Sequence, residues 1–390
     1  MNLKEKFFPE NRLGLNRFWN FSRGGIDNFR TGLRDAVSGV EQTRSRMMEY
    51  DQLLVWAILS LMLIGLVMVY SASITLADGP KYANYSSNFF LIRHMISLAI
   101  AIGVGIWAFK IPTKVWDRYS PVIFGFTVLL LIAVLIPGVG KGVNGAKRWI
   151  PLGLMNFQPS ELMKFAAVIF AASYTVQRQE YLHSFVKGML PMGIAVALVG
   201  GLLMAEPDMG AFVVVALIAF GILFLGGINA KLFGGLIAVG LMSGATMIAL
   251  SPFRRGRMLA FMDPWQVDNA ANKGYQLTHS LMAFGRGEWF GTGLGGSVEK
   301  LHYLPEAHTD FIMAVIGEEL GFVGVVVMIF LFYWIVRRAF LIGRTALQLD
   351  RSFAGLAAKG VAIWIGWHAF INMGVILGLL PTKGLTLPLV

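Results

Sequence analysis

The stretch LLVWAILSLMLIGLVMVYSA at residues 53–72 decides the fold class. It contains no charged residue and is 20 residues long, about the length that an α-helix needs to cross the hydrocarbon core of a membrane. A backbone in lipid must satisfy its own hydrogen bonds, as a helix does. We therefore predict a transmembrane helix. Because the run is too long for the apolar region of a signal peptide, we expect an uncleaved anchor.

Eight further apolar runs follow this one, and the turn Glu206-Pro207-Asp208 separates two of them. Repeated runs of this kind predict an all-α polytopic membrane protein, a bundle of about nine transmembrane helices. The predicted spans lie near residues 53–72, 89–109, 119–137, 160–176, 188–204, 209–227, 230–250, 310–336 and 355–380.

The composition agrees with a membrane protein. Hydrophobic residues make up 56% of the 390 residues and charged residues 14%, against about 25% charged in soluble domains. The net charge is +11, but the basic residues lie mostly between apolar runs, so we expect contact with anionic lipid and no binding of nucleic acid. The sequence has no cysteine, which excludes thiolate catalysis, disulfides and cysteine metal sites.

Lysine and arginine are concentrated on one side of the predicted membrane. The arm at residues 1–50 is rich in them, so we expect this arm to be cytoplasmic. Residues 51–390 are the predicted transmembrane domain, and its long loop at 251–309 then lies outside. A loop of this length is usually functional or disordered. Its apolar stretches favour order and predict short interfacial helices.

Ionisable groups at or inside the membrane are costly, so each is a functional candidate. Most of them lie on the predicted outer side. A cluster of cations can hold a pyrophosphate, and neighbouring carboxylates can act as a base or bind a metal ion. This mixture suits a glycosyl-pyrophosphoryl-lipid substrate. The candidate substrate-binding residues are Lys147, Arg148, Lys164, Asp208, Arg257, Arg286, Glu306, His308, Asp310 and Lys383.

Some of these candidates have a structural alternative. Asp208 and Asp310 stand at predicted helix starts, where a carboxylate complements the helix dipole. Arg257 follows the end of a span together with two other arginines, and all three could bind lipid phosphates instead of a substrate.

The carboxylates further along the chain raise a similar choice. Glu318 and Glu319 lie inside a predicted span, where we favour a buried ion pair over direct chemistry. His308 lies close to Glu306, but no second histidine stands at ligand spacing. A zinc site is therefore not expected.

Four motifs in order resemble the SEDS family, the proteins of shape, elongation, division and sporulation. They are GVGKGVNGAKRWIPLGLMNFQPSELMK at 138–164, AEPDMG at 205–210, GYQLTHSLMAFGRGEWFGTGLGGSVEKLHYLPEAHTDFIMAVIGEELG at 274–321 and LPTKGLTLPLV at 380–390. The resemblance covers nearly everything after residue 50, and it is greatest to the division-septum members. The family continues past LPLV into a Ser-Tyr-Gly-Gly-Ser-Ser-like stretch and a tenth span.

The resemblance implies a function. SEDS proteins polymerise lipid II into glycan strands of peptidoglycan and release undecaprenyl pyrophosphate. This chain is then expected in the bacterial inner membrane at the division septum. The implied partners are a class B penicillin-binding protein (an FtsI-like transpeptidase) and other membrane proteins of the divisome. A divalent cation, Mg²⁺ or Mn²⁺, could neutralise the leaving pyrophosphate.

The resemblance also implies the catalytic acid, which lies in a family stretch of the form P-W-x-D-P-x-G-x-G-Y-Q. This chain reads PWQVDN at 264–269 and reaches GYQ at 274–276 after two extra residues. Asp268 is the best match, although no proline follows it. Asp263 is the alternative because the insertion makes the register ambiguous. The carboxylate would take the proton of the acceptor hydroxyl.

Two other classes of function compete with an enzyme. A flippase for lipid II needs similar groups, but along a path open to both faces of the membrane. A non-catalytic scaffold of the divisome would not need the crowded charged loop. The concentration of charge on the outer side favours the glycosyltransferase.

Overall fold

A computed structural model of the chain describes residues 50–78, 86, 88–143, 146–151, 153 and 156–390. Residues Trp56–Val390 form one compact unit, and the packing described below lies within it. The predicted cytoplasmic arm at residues 1–50 lies outside the described residues, apart from Tyr50.

Twelve α-helices lie in the described part of the chain. In chain order they are α1 Gln52–Ser73, α2 Phe89–Phe109, α3 Thr113–Leu135, α4 Pro159–Gln177, α5 Leu190–Ala205, α6 Met209–Leu225, α7 Ala230–Leu250, α8 Pro252–Met262, α9 Val267–Ala271, α10 Tyr275–Gly287, α11 Ile312–Gln348 and α12 Ser352–Ile376.

Each of the nine predicted spans falls on one of these helices. Within the described residues, seven helical segments are long and apolar enough to cross a membrane. The two predicted spans outside that set are α4, with 19 residues, and the shorter apolar helix α6, with 17. The polytopic all-α prediction is therefore confirmed.

One helix is longer than its predicted span. α11 continues to Gln348, well beyond the predicted end at residue 336. The extension carries Arg337, Arg338 and Arg344. Arginine has a high helix propensity but a high cost in lipid, so hydropathy finds only the apolar part of such a helix.

The connection between α3 and α4 contains a small antiparallel sheet that the sequence did not predict. Its strands are β1 Lys141–Val143, β2 Ala146–Pro151 and β3 Asn156–Phe157, in the order β1-β2-β3. Lys141 pairs with Trp149, and Ile150 pairs with Phe157. Strands this short carry too few residues to show the alternation that marks a strand in a sequence.

The core of the bundle lies among α3, α4, α5, α6 and α12. Buried side chains there include Met163, Val199, Ile218 and Ile371. By contrast, α2 and α7 have no buried residue. Apolar helices can expose most of their surface to lipid, because lipid tails are as apolar as leucine.

The long loop contains the expected short helices, α8, α9 and α10. After α10 the chain has no regular structure until α11, and it is bonded to a kink in that helix at Gly321, which has φ 68°. Phe322 N donates to Glu288 O at 2.9 Å. A β carbon on Gly321 would lie 2.4 Å from Gly291 N, so this contact requires glycine.

Candidate active site

A cavity of about 890 Å³ opens beside the long loop. Three separate parts of the chain line it: the segment from α8 to the first turn of α10, Pro305, and Thr382 near the C-terminal end. The polar and charged residues that the first segment contributes are Arg257, Asp268, Asn269, Asn272, Lys273, Tyr275 and Gln276.

Asp268 lies in the first turn of α9 and is exposed at this cavity. Two asparagine side chains fix the backbone around it. Asn272 Nδ2 donates to Asp268 O at 3.0 Å. Asn269 Nδ2 donates to Asp263 O at 2.9 Å and to Gln266 Oε1 at 3.1 Å. The catalytic candidate therefore stands on a short helix that is bonded to the turns before and after it.

Asp263, the alternative candidate, directly follows α8 and is exposed. It is not among the residues that line the cavity. The cavity thus contains Asp268 but not Asp263, although which carboxylate acts in catalysis stays a prediction.

A second polar cluster lies around the turn between α5 and α6, and it contains four of the predicted residues: Arg148, Asp208, Asp310 and Lys383. Asp208 is 4% exposed and caps α6. Its Oδ1 accepts from Ala211 N at 3.1 Å, and its Oδ2 accepts from Ser160 Oγ at 3.3 Å. Asp208 is therefore a helix cap, as the structural alternative proposed.

Arg148 lies in β2 and reaches the same turn. Its Nε donates to Glu206 O at 3.1 Å, and its Nη2 donates to Pro207 O. The guanidinium therefore satisfies carbonyl groups at the end of α5, where a helix has no bonding partners of its own. Lys147, its neighbour on β2, is exposed.

Burial and like charges shift the pKa values of this cluster. Glu206 is fully buried, and neither carboxylate oxygen has a hydrogen-bond partner among the described residues. Burial first and Asp208 second raise the pKa of Glu206 to about 8, against the effect of Arg148. Burial, then Glu306, raise the pKa of Asp310 to about 6. Burial also lowers the pKa of Lys383, and Arg254 adds to this.

Lys164 is the most buried of the predicted cations. Its side chain is 0% exposed, and Nζ donates to Glu161 Oε1 at 2.6 Å. Glu161 is one helical turn away on α4 and 44% exposed. The lysine is thus held by an ion pair that leads from the core of the bundle towards its surface.

Arg286 belongs to a buried network around the kink of α11. Its Nη1 lies 2.9 Å from Glu318 Oε1 and 3.7 Å from Glu299 Oε1. Glu299 also lies 2.6 Å from His279 Nδ1. Glu318 is fully buried and accepts further bonds from Ser297 Oγ and from backbone N–H groups.

The neighbouring carboxylate forms a second buried pair. Glu319 Oε1 lies 2.6 Å from Lys300 Nζ, and it accepts from Ser71 Oγ on α1 at 2.7 Å. The expectation of buried ion pairs at Glu318 and Glu319 is confirmed. Both networks connect the long loop to transmembrane helices.

Glu306 and His308 contact different residues. Glu306 Oε2 accepts from Thr309 Oγ1 at 3.1 Å. The ring of His308 makes an edge contact with Phe90 at 5.2 Å between centroids. Each residue therefore has a partner that is not a metal ligand.

A family model described as a cell cycle protein, covering FtsW, RodA and SpoVE, matches residues 52–390. The chain belongs to the FtsW, RodA and SpoVE family.

Two relatives named probable peptidoglycan glycosyltransferase FtsW are similar to this member of the family. The one from Polynucleobacter necessarius is 98% identical over 390 residues, which are 100% of this chain and 92% of the relative. The one from Burkholderia thailandensis is 64% identical over 359 residues, which are 92% of this chain and 78% of the relative.

Solved structures share the family fold. A chain from the structure called "Structural coordination of polymerization and crosslinking by a peptidoglycan synthase complex" has a TM-score of 0.70 at 28% identity, covering 88% of this chain and 91% of that one. The crystal structure of the Thermus thermophilus rod shape determining protein RodA has a TM-score of 0.60 at 26% identity, covering 88% and 90%.

Several cavity residues were absent from the sequence predictions. Tyr275, Gln276 and Thr382 belong to motifs that carried the family resemblance, so a signal for them existed. Lys273 has no such signal, because it precedes Gly274 at a position that the family stretch leaves unspecified.

The described residues do not form a preassembled metal site. Among the described residues, no group of three or more histidine, aspartate or glutamate side chains is placed to hold a metal ion. Among the described residues that line the cavity, Asp268 is the one carboxylate. Mg²⁺ keeps several waters and is commonly bound through one or two carboxylates together with substrate phosphates, so Asp268 and the pyrophosphate of a substrate could supply its protein and phosphate ligands. Mg²⁺ or Mn²⁺ stays a prediction and enters no step of the mechanism.

Proposed function

We propose that this chain polymerises lipid II into glycan strands at the division septum and releases undecaprenyl pyrophosphate. The chain is a peptidoglycan glycosyltransferase, the activity in the names of both FtsW relatives. It is also an integral membrane protein, with seven described helices of spanning length and hydropathy. To this activity we add lipid II as the substrate, glycan strands and undecaprenyl pyrophosphate as the products, and the residues that carry out the reaction.

One observation carries the proposal: the carboxylate of Asp268 shares a cavity with the cations Arg257 and Lys273. A glycosyl transfer from a lipid pyrophosphate needs a base at the acceptor hydroxyl and positive charge at the leaving group. The cavity has both, on the side of the membrane where the long loop lies.

The reaction is an inverting displacement. The 4-hydroxyl oxygen of the acceptor GlcNAc attacks C1 of the donor MurNAc. The bond from C1 to the pyrophosphate oxygen breaks, and its electron pair leaves with undecaprenyl pyrophosphate. The hydroxyl proton passes to the carboxylate of Asp268. Arg257 offsets the charge that develops on the leaving oxygen.

The test uses the purified chain with a class B penicillin-binding protein and labelled lipid II, with crosslinking blocked. We expect Asp268→Asn to lower the rate of glycan synthesis by about 10²–10⁴, the usual effect of removing a general base. Asp263→Asn, the matched control, should retain the rate. A normal rate for Asp268→Asn together with a loss for Asp263→Asn would move the role to Asp263.

The partner and the orientation are part of the proposal. The fold matches a chain from a peptidoglycan synthase complex, which supports a stable complex with a crosslinking transpeptidase. The arginines on and after α11, Arg337, Arg338, Arg344 and Arg351, support a cytoplasmic location for that end of the helix. The Asp268 cavity is then periplasmic.

A further inference from the structure

We propose that Lys273 is a substrate-binding residue whose ammonium group holds the pyrophosphate of the lipid-linked donor. This inference rests on the proposed function and deepens it. It assigns a second cation to the cavity, at the position directly before Gly274 that the family stretch leaves unspecified.

The position of the side chain is the first support. Lys273 lines the cavity with Asp268 and Arg257. Its side chain folds over α8 at Gly256, because a β carbon there would lie 2.2 Å from Lys273 Nζ and 3.1 Å from Cε. Gly256 directly precedes Arg257 in α8. The ammonium group is thus brought from the loop to the helix that supplies the other cation.

The backbone that carries Lys273 is also fixed. Gly274 N donates to Asn269 O at 2.8 Å, and Tyr275 N donates to Asn272 O at 3.3 Å. The side chain of Asn272 is bonded to Asp268 O. The lysine and the catalytic candidate therefore stand on one bonded turn, so their separation is set before a substrate arrives.

The charge of the cavity is the second support. Its lining has two cations and one carboxylate. Among the described residues, Lys273 makes no hydrogen bond or ion pair. An ammonium group has three donors, and phosphate oxygens are strong acceptors for them. A pyrophosphate diester carries two negative charges, and the ammonium group of Lys273 can offset one of them.

The phosphate of an anionic phospholipid has the same chemistry as the donor's pyrophosphate. The two ligands can be distinguished by the conditions under which Lys273 affects activity. A lysine that binds the donor affects the KM for lipid II in detergent without phospholipid. A lysine that binds a headgroup affects activity only when anionic lipid is present.

The first experiment measures glycan synthesis in detergent as a function of lipid II concentration. Lys273→Met keeps the length of the side chain over Gly256 but removes the charge. We expect its KM to rise about 10-fold with little change in kcat, since hydrogen bonds to charged groups have that strength. Lys273→Arg should remain close to the wild type. Lys231→Met, at an exposed lysine of α7 outside the cavity, is the control.

A second variant moves the ammonium group without changing its charge. Gly256→Ala places a methyl group where Lys273 Nζ lies, and alanine suits a helix interior better than glycine. The flexible end of the lysine can shift, so the protein should fold. We expect KM to rise by about 3-fold, less than for Lys273→Met.

Binding of inorganic pyrophosphate to the Asp268→Asn protein provides a readout independent of activity. Affinity should fall about 10-fold when Lys273→Met is added.

Unchanged pyrophosphate affinity and unchanged KM would overturn the proposal, as would equal losses for Lys273→Met and Lys273→Arg. A defect confined to vesicles with phosphatidylglycerol would assign Lys273 to headgroups instead. If the wild type makes no glycan, the proposed function fails, while the binding result still decides the role of Lys273.

Discussion

At the scale of single residues, the charged groups of the bundle are held by nearby partners. Asp208 accepts from Ala211 N and caps α6. Lys164 is paired with Glu161 inside the bundle. Both partners lie three positions away along the chain, within reach on one helix. The full burial of Lys164 depends instead on packing between helices.

Glu206 gives a prediction about pH. Its pKa is raised from 4.5 to about 8, so the folded protein holds a proton there that the unfolded chain has lost. The stability of the wild type should therefore fall as pH rises from about 5 to about 8. Glu206→Gln cannot ionise, so its melting temperature in detergent should fall less across this window.

The control for this prediction is Glu180→Gln, at an exposed glutamate. Its melting curve should follow pH as the wild type does. Identical pH dependence for Glu206→Gln and the wild type would mean that Glu206 is not held neutral by burial.

At the scale of elements, the apolar helices were predictable and the connections between them were not. Runs of about 20 apolar residues have one stable form in lipid, which is why all nine predicted spans lie on helices. The strands β1, β2 and β3 are too short to show an alternating pattern, and the irregular segment after α10 depends on contacts with distant residues. Thr75 Oγ1, for example, donates to Lys300 O, 225 positions along the chain.

The network at the kink of α11 gives a prediction about stability. Glu318 is fully buried, and its charge is balanced by Arg286 at 2.9 Å. Breaking a buried pair by removing one charge costs about 3–5 kcal/mol, because the other charge is left unpaired. We expect a smaller cost in free energy here, because Arg286 is 42% exposed and water can hydrate its charge. Glu318→Gln should lower the free energy of unfolding by about 1–3 kcal/mol, measured in detergent with denaturant.

Glu288→Gln is the comparison for Glu318→Gln, because Glu288 is exposed and its backbone is bonded to the same kink of α11. Its stability should stay within about 0.5 kcal/mol of the wild type. Equal stability of both variants would show that the Glu318 pair contributes nothing net.

At the scale of the whole molecule, the fold and the activity class followed from the sequence, while the composition of the site did not. The motif at 274–276 placed Tyr275 and Gln276 near the catalytic candidate. Thr382 reaches the same cavity from the other end of the transmembrane domain. The motifs indicate that both segments belong to the functional site, but only the packed structure shows that the two segments line one cavity.

The last prediction concerns the side of the membrane on which the reaction occurs. α11 has 37 residues with a kink at Gly321, and the part after the kink, residues 322–348, is about 40 Å long. This length is enough to cross the hydrocarbon core of about 30 Å, so we expect the two ends of α11 on opposite sides of the membrane. Val267, beside Asp268, is 83% exposed, and Leu349, after α11, is 65% exposed. The chain has no cysteine, so Val267→Cys and Leu349→Cys each provide a single label site. An impermeant thiol reagent applied to intact spheroplasts should modify Val267→Cys and spare Leu349→Cys, and both should react after permeabilisation. The reverse pattern would place Asp268 in the cytoplasm and end the case for a periplasmic transfer, whereas labelling of both from outside would mean that α11 does not span.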